Sequence, residues 1–239
     1  MNEQAKVLII IPAYDEGMNI AKIIAETREI GLSYNIVVVN DGSEDDTEEI
    51  VKNMGISIIS HPINLGAGAA IQTGLKYALL EKYDAAVIID GDGQHDPKEA
   101  PKLIEALRTK YVDVVIGSRF LMKGAGKTSW TRHIGIVIFS AVASFIGRCR
   151  ITDVTSGYRV FNQKAIKYLS TEIPADFPDA DMLLALLFSG FKIVEIPVNS
   201  RERQDGQSMY SGLRAIYYPF KIIIAILAVL LRDIFSKRR

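Results

Sequence analysis

The sequence predicts an α/β protein with an open, mostly parallel sheet that carries helices on both faces. Short runs rich in β-branched residues alternate with helical stretches over residues 1–118, which is typical of parallel strands joined by crossover helices. Small or acidic residues also stand at each passage from a strand into a helix. Because the carboxyl ends of parallel strands meet at one edge of a sheet, the sequence predicts a ligand site along that edge.

The strands are predicted from apolar, β-branched runs that are bounded by turn residues. They are Val7–Pro12, Ile36–Asn40, Ile56–Ser60, Ala85–Asp90, Val112–Ser118, Arg159–Phe161 and Lys192–Pro197. The longer stretches between them predict helices near Met18–Ile30, Asp45–Met54, Gly66–Lys82, Lys98–Lys110 and Asp179–Ser189. The uncharged run Ile134–Gly147 also predicts a helix, and Lys123–Lys127 predicts a mobile loop.

Composition limits the classes of function that are open. A chain of 239 residues suits one large domain, or one domain with an appendage. The 28 basic and 28 acidic residues balance, so no global field favours nucleic acid as a partner. A single cysteine, Cys149, excludes an internal disulfide. The polar start Met1–Lys6 leads directly into a strand without a secretory signal, and we therefore expect a cytoplasmic protein.

The most informative motif is Asp90-Gly91-Asp92-Gly93, which follows the apolar run Val87–Ile89. Residues i and i+2 of an extended segment point the same way, so both carboxylates are placed to face one hard cation. Mg²⁺ or Mn²⁺ held in this way takes its other ligands from water and substrate phosphates, which indicates a nucleoside diphosphate. The alternative is a surface turn rich in Asp and Gly. His95, beside these carboxylates, is placed to contact a phosphate.

Two further junctions are candidates for nucleotide contacts. Asp41, at the end of the second strand, is placed to accept hydrogen bonds from a nucleobase or ribose, while Ser43 or Asp45 could cap the next helix. The segment Asn64–Gly68 opens a helix, and its glycines either offer backbone donors to a phosphate or allow close helix–sheet packing. It matches neither Gly-x-Gly-x-x-Gly nor a P-loop, which argues against both kinds of nucleotide site.

Taken together, these segments resemble glycosyltransferase family 2, the inverting sugar-nucleotide enzymes of the GT-A fold. The shared landmarks occur in the family's order and spacing: Ile10–Glu16, Val38–Ser43, Asn64–Gly68, Asp90–Pro97, Gly117–Phe120, Ser156–Phe161 and Arg201–Ser208. Within the family, the chain looks most like the polyprenyl-phosphate sugar synthases. The resemblance implies a donor site that binds the nucleotide and its diphosphate through Pro12, Tyr14, Glu16, Asp41, Gly91, Arg201 and Arg203.

The same resemblance implies the charged residues of the site. Asp90, Asp92 and Gln94 would hold Mg²⁺ or Mn²⁺ on the donor diphosphate, and Arg119 and Arg132 would meet the acceptor phosphate. Any one of these arginines, seen alone, is equally compatible with a solvated surface position. The synthases often carry Ser four residues after the position of Arg132, where this chain has Ile136, and one acceptor contact is therefore not expected.

Asp179 and Asp181 lie in the segment where the family usually carries its acidic residue. A hydroxyl acceptor needs a general base, whereas a phosphate monoester, with a second pKa of about 6, is already an anion at neutral pH. The two aspartates therefore either act as a base or cap the following helix. The candidate catalytic residues are Asp92, Arg119, Arg201, Asp179 and Asp181.

The chain is expected to divide into a catalytic domain, residues 1–212, and an apolar, basic-ended helix, residues 213–239. The uncharged run Ile222–Leu231 would extend about 15 Å as a helix, half of a hydrocarbon core of about 30 Å. Tyr217, Tyr218 and the basic residues beside them favour a helix that lies in the membrane interface. The alternative is burial in a homo-oligomer or against a membrane partner subunit.

These observations predict a metal-dependent inverting glycosyltransferase, peripheral on the cytoplasmic face of the cell membrane. It would move a hexose from a UDP- or GDP-linked donor to a polyprenyl (dolichyl or undecaprenyl) phosphate. One alternative is a family 2 enzyme whose acceptor is a sugar hydroxyl of a glycan, glycolipid or cell-envelope polysaccharide. A different class is a non-catalytic sugar-nucleotide sensor or scaffold that docks a membrane partner.

Overall fold

The computed structural model describes residues 5–31, 34–121, 130–172, 178–199 and 201, without the side chains of 130–135, 172 and 178–180. The predicted loop Lys123–Lys127, the predicted helix 213–239, and Arg203 lie outside the described residues. The side chains of Arg132 and Asp179 lie outside them as well.

Within the described residues, seven strands form one sheet. They are β1 (Val7–Ala13), β2 (Tyr34–Asn40), β3 (Ser57–Ser60), β4 (Ala85–Ile88), β5 (Val114–Ser118), β6 (Arg159–Asn162) and β7 (Ile193–Pro197). Their spatial order is β3-β2-β1-β4-β6-β5-β7. All neighbouring pairs are parallel except those of β6, which runs antiparallel to both β4 and β5. The prediction of a mostly parallel sheet is therefore confirmed, with one reversed strand in its interior.

In the part of the chain that the structure describes, seven α-helices accompany the sheet. They are α1 (Gly17–Glu29), α2 (Thr47–Asn53), α3 (Ala67–Leu80), α4 (Ala100–Thr109), α5 (Trp130–Gly147), α6 (Gln163–Glu172) and α7 (Pro178–Phe188). A 3₁₀ turn at Pro97–Glu99 precedes α4. Every predicted strand and every predicted helix within the described residues is present, with ends displaced by a few residues. None of the described helices is both long and apolar enough to span a bilayer.

The core lies on both faces of the sheet because the central strands are buried on both sides. In β1, Leu8 and Ile10 belong to one apolar cluster, whereas Val7, Ile9 and Ile11 belong to the cluster on the opposite face. This is why the run reads as continuously apolar rather than alternating. In the described part of the chain, helices cover both faces of the sheet, so a ligand can approach the sheet at the ends of its strands.

Helix α6 is the one described helix that we did not predict. The side chain of Asn162 accepts a hydrogen bond from the backbone N–H of Ala165 at 2.9 Å, which begins the helix with a side-chain cap. Ala165, Ile166 and Leu169 then enter the core. The capping Asn and this helical spacing were visible in the sequence, but the helix follows β6 without a loop.

Helix α3 approaches the sheet closely at Gly74, a glycine that we did not single out in the sequence. A Cβ atom at Gly74 would overlap the Cγ2 atom of Ile10 in the central strand β1. Gly66 instead precedes the helix with a φ of 93°, a conformation that favours glycine. Gly66 therefore shapes the turn before α3, and Gly74 makes a close contact with the sheet about two turns later, while the packing role predicted for Gly68, which is buried, stays a prediction.

We expect Gly74→Ala to lower the free energy of unfolding by about 1–3 kcal/mol, because overpacking at Ile10 outweighs the better helix propensity of alanine. Chemical denaturation would measure this loss. Lys76→Ala, on the exposed side of the same helix, is the matched control and should change stability by less than about 0.5 kcal/mol. A Gly74→Ala protein as stable as the parent would contradict the close packing of α3 on β1.

Candidate active site

The acidic motif lies at the carboxyl end of β4, but its geometry differs from the prediction. Strand β4 ends at Ile88, and Gly91 and Asp92 form a turn, so Asp90 and Asp92 are not successive residues of one face of a strand. The turn is stabilised by Asp92, whose Oδ1 accepts the backbone N–H of Gln94 at 3.0 Å. Gly93 follows with a φ of 76°. The prediction that Asp90 and Asp92 lie on one extended segment is therefore wrong. The prediction that both lie at the carboxyl edge of the sheet is confirmed.

Asp90 lies against a bare stretch of backbone at Gly157, just before β6. A Cβ atom at Gly157 would lie 2.8 Å from Oδ2 of Asp90, so only glycine leaves room for this carboxylate. The side chain of Asp90 is 39% exposed. The Asp90 carboxylate thus lies between the turn at Gly91 and Asp92, called the acidic turn below, and the segment that leads into β6. It remains accessible to solvent.

His95 supports the motif from inside the protein. Its ring is buried and stacks on Tyr158, with ring centroids 4.8 Å apart. The backbone N–H of Asp90 donates to Nδ1 of His95 at 3.1 Å, which places the proton of the neutral ring on Nε2. Tyr158 donates its hydroxyl proton to the carbonyl of Asp96 at 2.9 Å, and burial raises the pKa of that hydroxyl. His95 therefore has a structural role, and the phosphate contact predicted for it stays a prediction.

The residues expected around the nucleoside lie next to the acidic turn. A Cβ atom at Gly91 would lie 3.0 Å from the carbonyl oxygen of Pro12 and 3.4 Å from Cγ of Glu16. Oε2 of Glu16 accepts a hydrogen bond from the side chain of Asn19 at 2.9 Å. Tyr14, between them in the chain, is exposed. The loop after β1 and the turn after β4 therefore form one continuous edge.

Asp41 is buried, and the protein itself supplies donors to its carboxylate. Oδ1 accepts the backbone N–H of Leu65 at 3.0 Å and lies 2.7 Å from Nδ1 of His61, while Oδ2 accepts the N–H of Gly66 at 2.7 Å. Nε2 of His61 in turn lies 2.9 Å from Oγ1 of Thr73. Asp41 thus fixes the loop before α3, an interaction that the sequence did not indicate.

Arg201 reaches the acidic turn from the far side of the sheet. Its guanidinium donates to Glu26 of α1 at 2.6 Å and to Asp96 at 2.9 Å, and its backbone N–H donates to the carbonyl of Gln94 at 2.9 Å. Desolvation alone would lower the pKa of Arg201, but the two carboxylates outweigh it and raise the pKa. Arg201 and Asp92 line one pocket together with Asn19, Lys22, Ile23, Glu26 and Gly93.

Arg119, directly after β5, is held by Asp153. Its Nε and Nη2 atoms donate to the two carboxylate oxygens of Asp153 at 2.8 and 2.9 Å, and its backbone N–H donates to the same carboxylate at 3.0 Å. Nη2 also donates to Oγ1 of Thr155 at 2.8 Å. Asp153 is fully buried, whereas the Arg119 side chain is 23% exposed. The orientation of the guanidinium is therefore set from inside the protein.

Asp153 stays ionised in this position. Burial alone would raise the pKa of its carboxyl group, but the hydrogen bonds and positive charge of Arg119 outweigh burial and lower that pKa. The sequence reasoning missed Asp153, although Thr152-Asp153-Val154-Thr155 directly precedes the landmark Ser156–Phe161. A single Asp in such a run gives no indication of the arginine it pairs with, 34 residues away.

Of the other candidates, Asp181 is half-buried in the first turn of α7. Carboxylates are favoured in that position by the helix dipole, as expected for the capping alternative. Arg132 lies in the first turn of α5. Together with Asp179 and Arg203, its side chain lies outside the described residues, and the roles predicted for these three stay predictions.

The acidic turn fits a divalent cation that is bound together with a substrate. No group of three or more His, Cys, Asp or Glu side chains that could hold a metal occurs among the described residues. Two carboxylates at one turn, with Asp90 seated against Gly157, are instead the donor set that leaves coordination positions for water and phosphate oxygens. Asp90 and Asp92 would thus supply part of a metal shell, and a bound diphosphate would supply the rest.

Comparison with known proteins identifies the family. The sequence profile described as Glycosyl transferase family 2 matches residues 8–169, more than half of the 239-residue chain. The chain belongs to glycosyl transferase family 2. An undecaprenyl-phosphate mannosyltransferase of Micrococcus luteus is 30% identical, and the match covers 87% of this chain and 88% of that protein. A polyprenol monophosphomannose synthase of Mycolicibacterium smegmatis is 27% identical over 91% of this chain and 85% of that protein.

The fold is shared with other glycosyltransferases of known structure. Glucosyl-3-phosphoglycerate synthase from Mycobacterium tuberculosis, crystallised with Mn²⁺, UDP and glucosyl-3-phosphoglycerate, superposes with a TM-score of 0.71 at 19% identity. The match covers 94% of this chain and 80% of that one. The predicted GT-A fold, the resemblance to family 2 and the assignment as a glycosyltransferase are therefore confirmed.

We expect Asp92→Asn to abolish the part of donor binding that depends on Mn²⁺. The loss should be at least as large as the roughly 10- to 100-fold that removal of an outer-shell partner costs a metal site. Calorimetric titration with nucleotide sugars, with Mn²⁺ or with chelator, would measure it. Asp84→Asn, at the opposite end of β4, is the control and should keep the metal dependence. Donor affinity that is independent of the metal in the parent protein would exclude this role for Asp92.

Proposed function

We propose that this glycosyltransferase moves a hexose, with inversion, from a nucleoside-diphosphate sugar to a polyprenyl phosphate. The observation that carries the proposal is the edge formed by the loop after β1, the acidic turn after β4 and Arg201 beside that turn. At the carboxyl ends of the strands, this edge brings together the residues expected to border the nucleoside, the carboxylates of Asp90 and Asp92, and the guanidinium group of Arg201. The names of the two relatives, both transferases to polyprenyl phosphates, supply the acceptor class.

The donor is bound through its nucleoside and its diphosphate. Pro12, Tyr14, Glu16 and Asp41 border the nucleoside, and Asp41 also holds the neighbouring loop in place. Asp90 and Asp92, with Gln94, would hold Mg²⁺ or Mn²⁺, which when bound supplies neutralising charge for the departing diphosphate. A divalent cation is also present in solved relatives of the same fold, with Mn²⁺ in one structure and Mg²⁺ in another.

Arginines neutralise the remaining negative charge of the two substrates. Arg201 contacts the donor diphosphate from its position beside Asp92, and this requires it to exchange its bonds to Glu26 and Asp96 for phosphate oxygens. Arg119 and Arg132 contact the acceptor phosphate, since a planar guanidinium fork suits phosphate oxygens. The acceptor is already an anion near neutral pH, so the protein's task is to align two anions rather than to remove a proton.

The acceptor lipid places the reaction at a membrane surface. We propose that residues 1–212 form the catalytic domain and that the basic-ended segment 213–239 associates with the cytoplasmic face of the membrane. Six basic residues and one acidic residue in segment 213–239 favour contact with anionic headgroups. Association with a second copy or with a membrane partner subunit is the alternative for this segment.

A screen of radiolabelled UDP- and GDP-sugars against undecaprenyl and dolichyl phosphate in detergent tests the proposal. We expect label in the lipid phase for one donor, dependence on a divalent cation, and at least a 100-fold lower rate for Asp92→Asn. Asp84→Asn should transfer at the parent rate. Donor binding without transfer to any lipid phosphate or glycan would instead favour a sugar-nucleotide sensor.

The acceptor chemistry is tested by replacing Asp179 and Asp181 together with Asn. With a phosphate acceptor, we expect the rate to fall by less than about tenfold, because no general base is needed. With a hydroxyl acceptor, removal of the base should cost about 100- to 10,000-fold. A near-complete loss in a protein of normal thermal stability would therefore favour transfer to a sugar hydroxyl.

A further inference from the structure

A buried glutamate lies beneath the segment that holds Arg119. Glu195 is in β7, opposite Ile116 of β5, and is almost fully buried. Its Oε1 accepts the backbone N–H groups of Thr152 and Asp153 at 2.8 and 2.7 Å. Its Oε2 accepts the hydroxyl of Thr152 at 2.6 Å. A single carboxylate therefore fixes both residues of this turn.

The turn passes this constraint on to Arg119. Asp153, whose N–H is held by Glu195, receives three hydrogen bonds from Arg119. The hydroxyl of Thr152 also lies 2.9 Å from Oγ of Ser118, the residue before Arg119. Two routes thus connect Glu195 with Arg119, one through the Asp153 carboxylate and the other through the end of β5. Both consist of short hydrogen bonds between buried or half-buried groups.

Burial of the Glu195 carboxyl group beside Asp153 costs free energy, and a merely structural contact would not require it. Two carboxylates are buried next to each other, and burial together with the charge of Asp153 raises the pKa of Glu195. An apolar side chain is the usual occupant of a strand position at which the side chain is buried. A buried acid is instead expected where backbone donors must be held in a fixed direction, since each of its oxygens can accept more than one hydrogen bond.

We infer that Glu195 is a positioning residue for the transfer reaction, acting through the Thr152–Asp153 turn to set the direction in which Arg119 meets the acceptor phosphate. The inference rests on the proposed function for the identity of that phosphate, but the orientation of Arg119 is independent of it. Without the carboxylate, two backbone N–H groups lose their acceptor, and the turn and the Asp153 side chain shift. Arg119 then keeps its charge but loses its alignment.

Glutamine provides the conservative replacement. Its carbonyl oxygen can accept both backbone N–H groups, and its amide can donate to the Thr152 hydroxyl, which then serves as the acceptor. Glu195→Gln should therefore retain the alignment of Arg119, whereas Glu195→Ala should lose it. Asp113→Ala is the matched control, because the Asp113 carboxylate accepts the N–H of Lys192 at 2.9 Å at the opposite ends of β5 and β7.

Two readouts test the inference on the full-length protein. The first is the exchange rate of the Arg119 Nε–H proton by NMR, assigned by its absence in Arg119→Lys. We expect about tenfold faster exchange in Glu195→Ala, and parent-like rates in Glu195→Gln and Asp113→Ala. The second is transfer kinetics, in which Glu195→Ala should raise the KM for polyprenyl phosphate about tenfold while the donor KM stays within about twofold. A folding defect alone would lower the active fraction and leave both KM values unchanged.

A double-mutant cycle completes the test. If Glu195 acts through Arg119, then Arg119→Ala with Glu195→Ala should have the same acceptor KM as Arg119→Ala alone. Additive effects, or unchanged proton exchange in Glu195→Ala, would overturn the inference. If the parent protein transfers no hexose to polyprenyl phosphate, the proposed function fails, and the exchange rates still decide whether Glu195 orients Arg119.

Discussion

The reversed strand β6 is the constraint on which the geometry of the site depends. Because it enters the sheet between β4 and β5, the segment before it crosses the carboxyl edge between these two strands. That segment carries Gly157, which makes room for Asp90, and Asp153, which holds Arg119. One piece of chain therefore sets both the acidic side and a basic side of the site. A purely parallel sheet would separate these two functions onto different loops.

The segment is itself fixed by the strands on either side of it. The hydroxyl of Ser156 donates to the carbonyl of Gly117 at 2.6 Å, and the N–H of Gly117 donates to the carbonyl of Tyr158 at 2.8 Å. Tyr158 stacks on His95, and His95 accepts a hydrogen bond from the backbone N–H of Asp90. The positions of Asp90 and Arg119 are thus coupled through hydrogen bonds and packing that exclude water. Such support is what holds charged groups in place before a highly charged substrate arrives.

Buried carboxylates recur along this edge, and each one is satisfied by backbone donors. The Asp41 carboxylate accepts hydrogen bonds from the backbone N–H groups of Leu65 and Gly66. The Glu195 carboxylate accepts those of Thr152 and Asp153. A loop has no ladder of its own for these N–H groups, and a buried acid supplies the missing acceptors. The sheet edge therefore contains two kinds of acid, one that organises loops and one, at Asp90 and Asp92, that is partly open to solvent.

The sequence by itself determined the order of the strands along the chain and of every described helix except α6, the mostly parallel sheet, and the edge at which the site lies. It could do so because strand patterns and acidic turns are local, and because parallel strands bring their carboxyl ends together. It also indicated Asp90, Asp92, Arg119 and Arg201 as candidates, through motifs that stand next to strands. Only the tertiary structure decided the reversal of β6, the pairing of Arg119 with Asp153, and the burial of Glu195 beneath their turn. These depend on contacts between residues distant in the chain, and no local pattern specifies which buried acid meets which cation or backbone N–H.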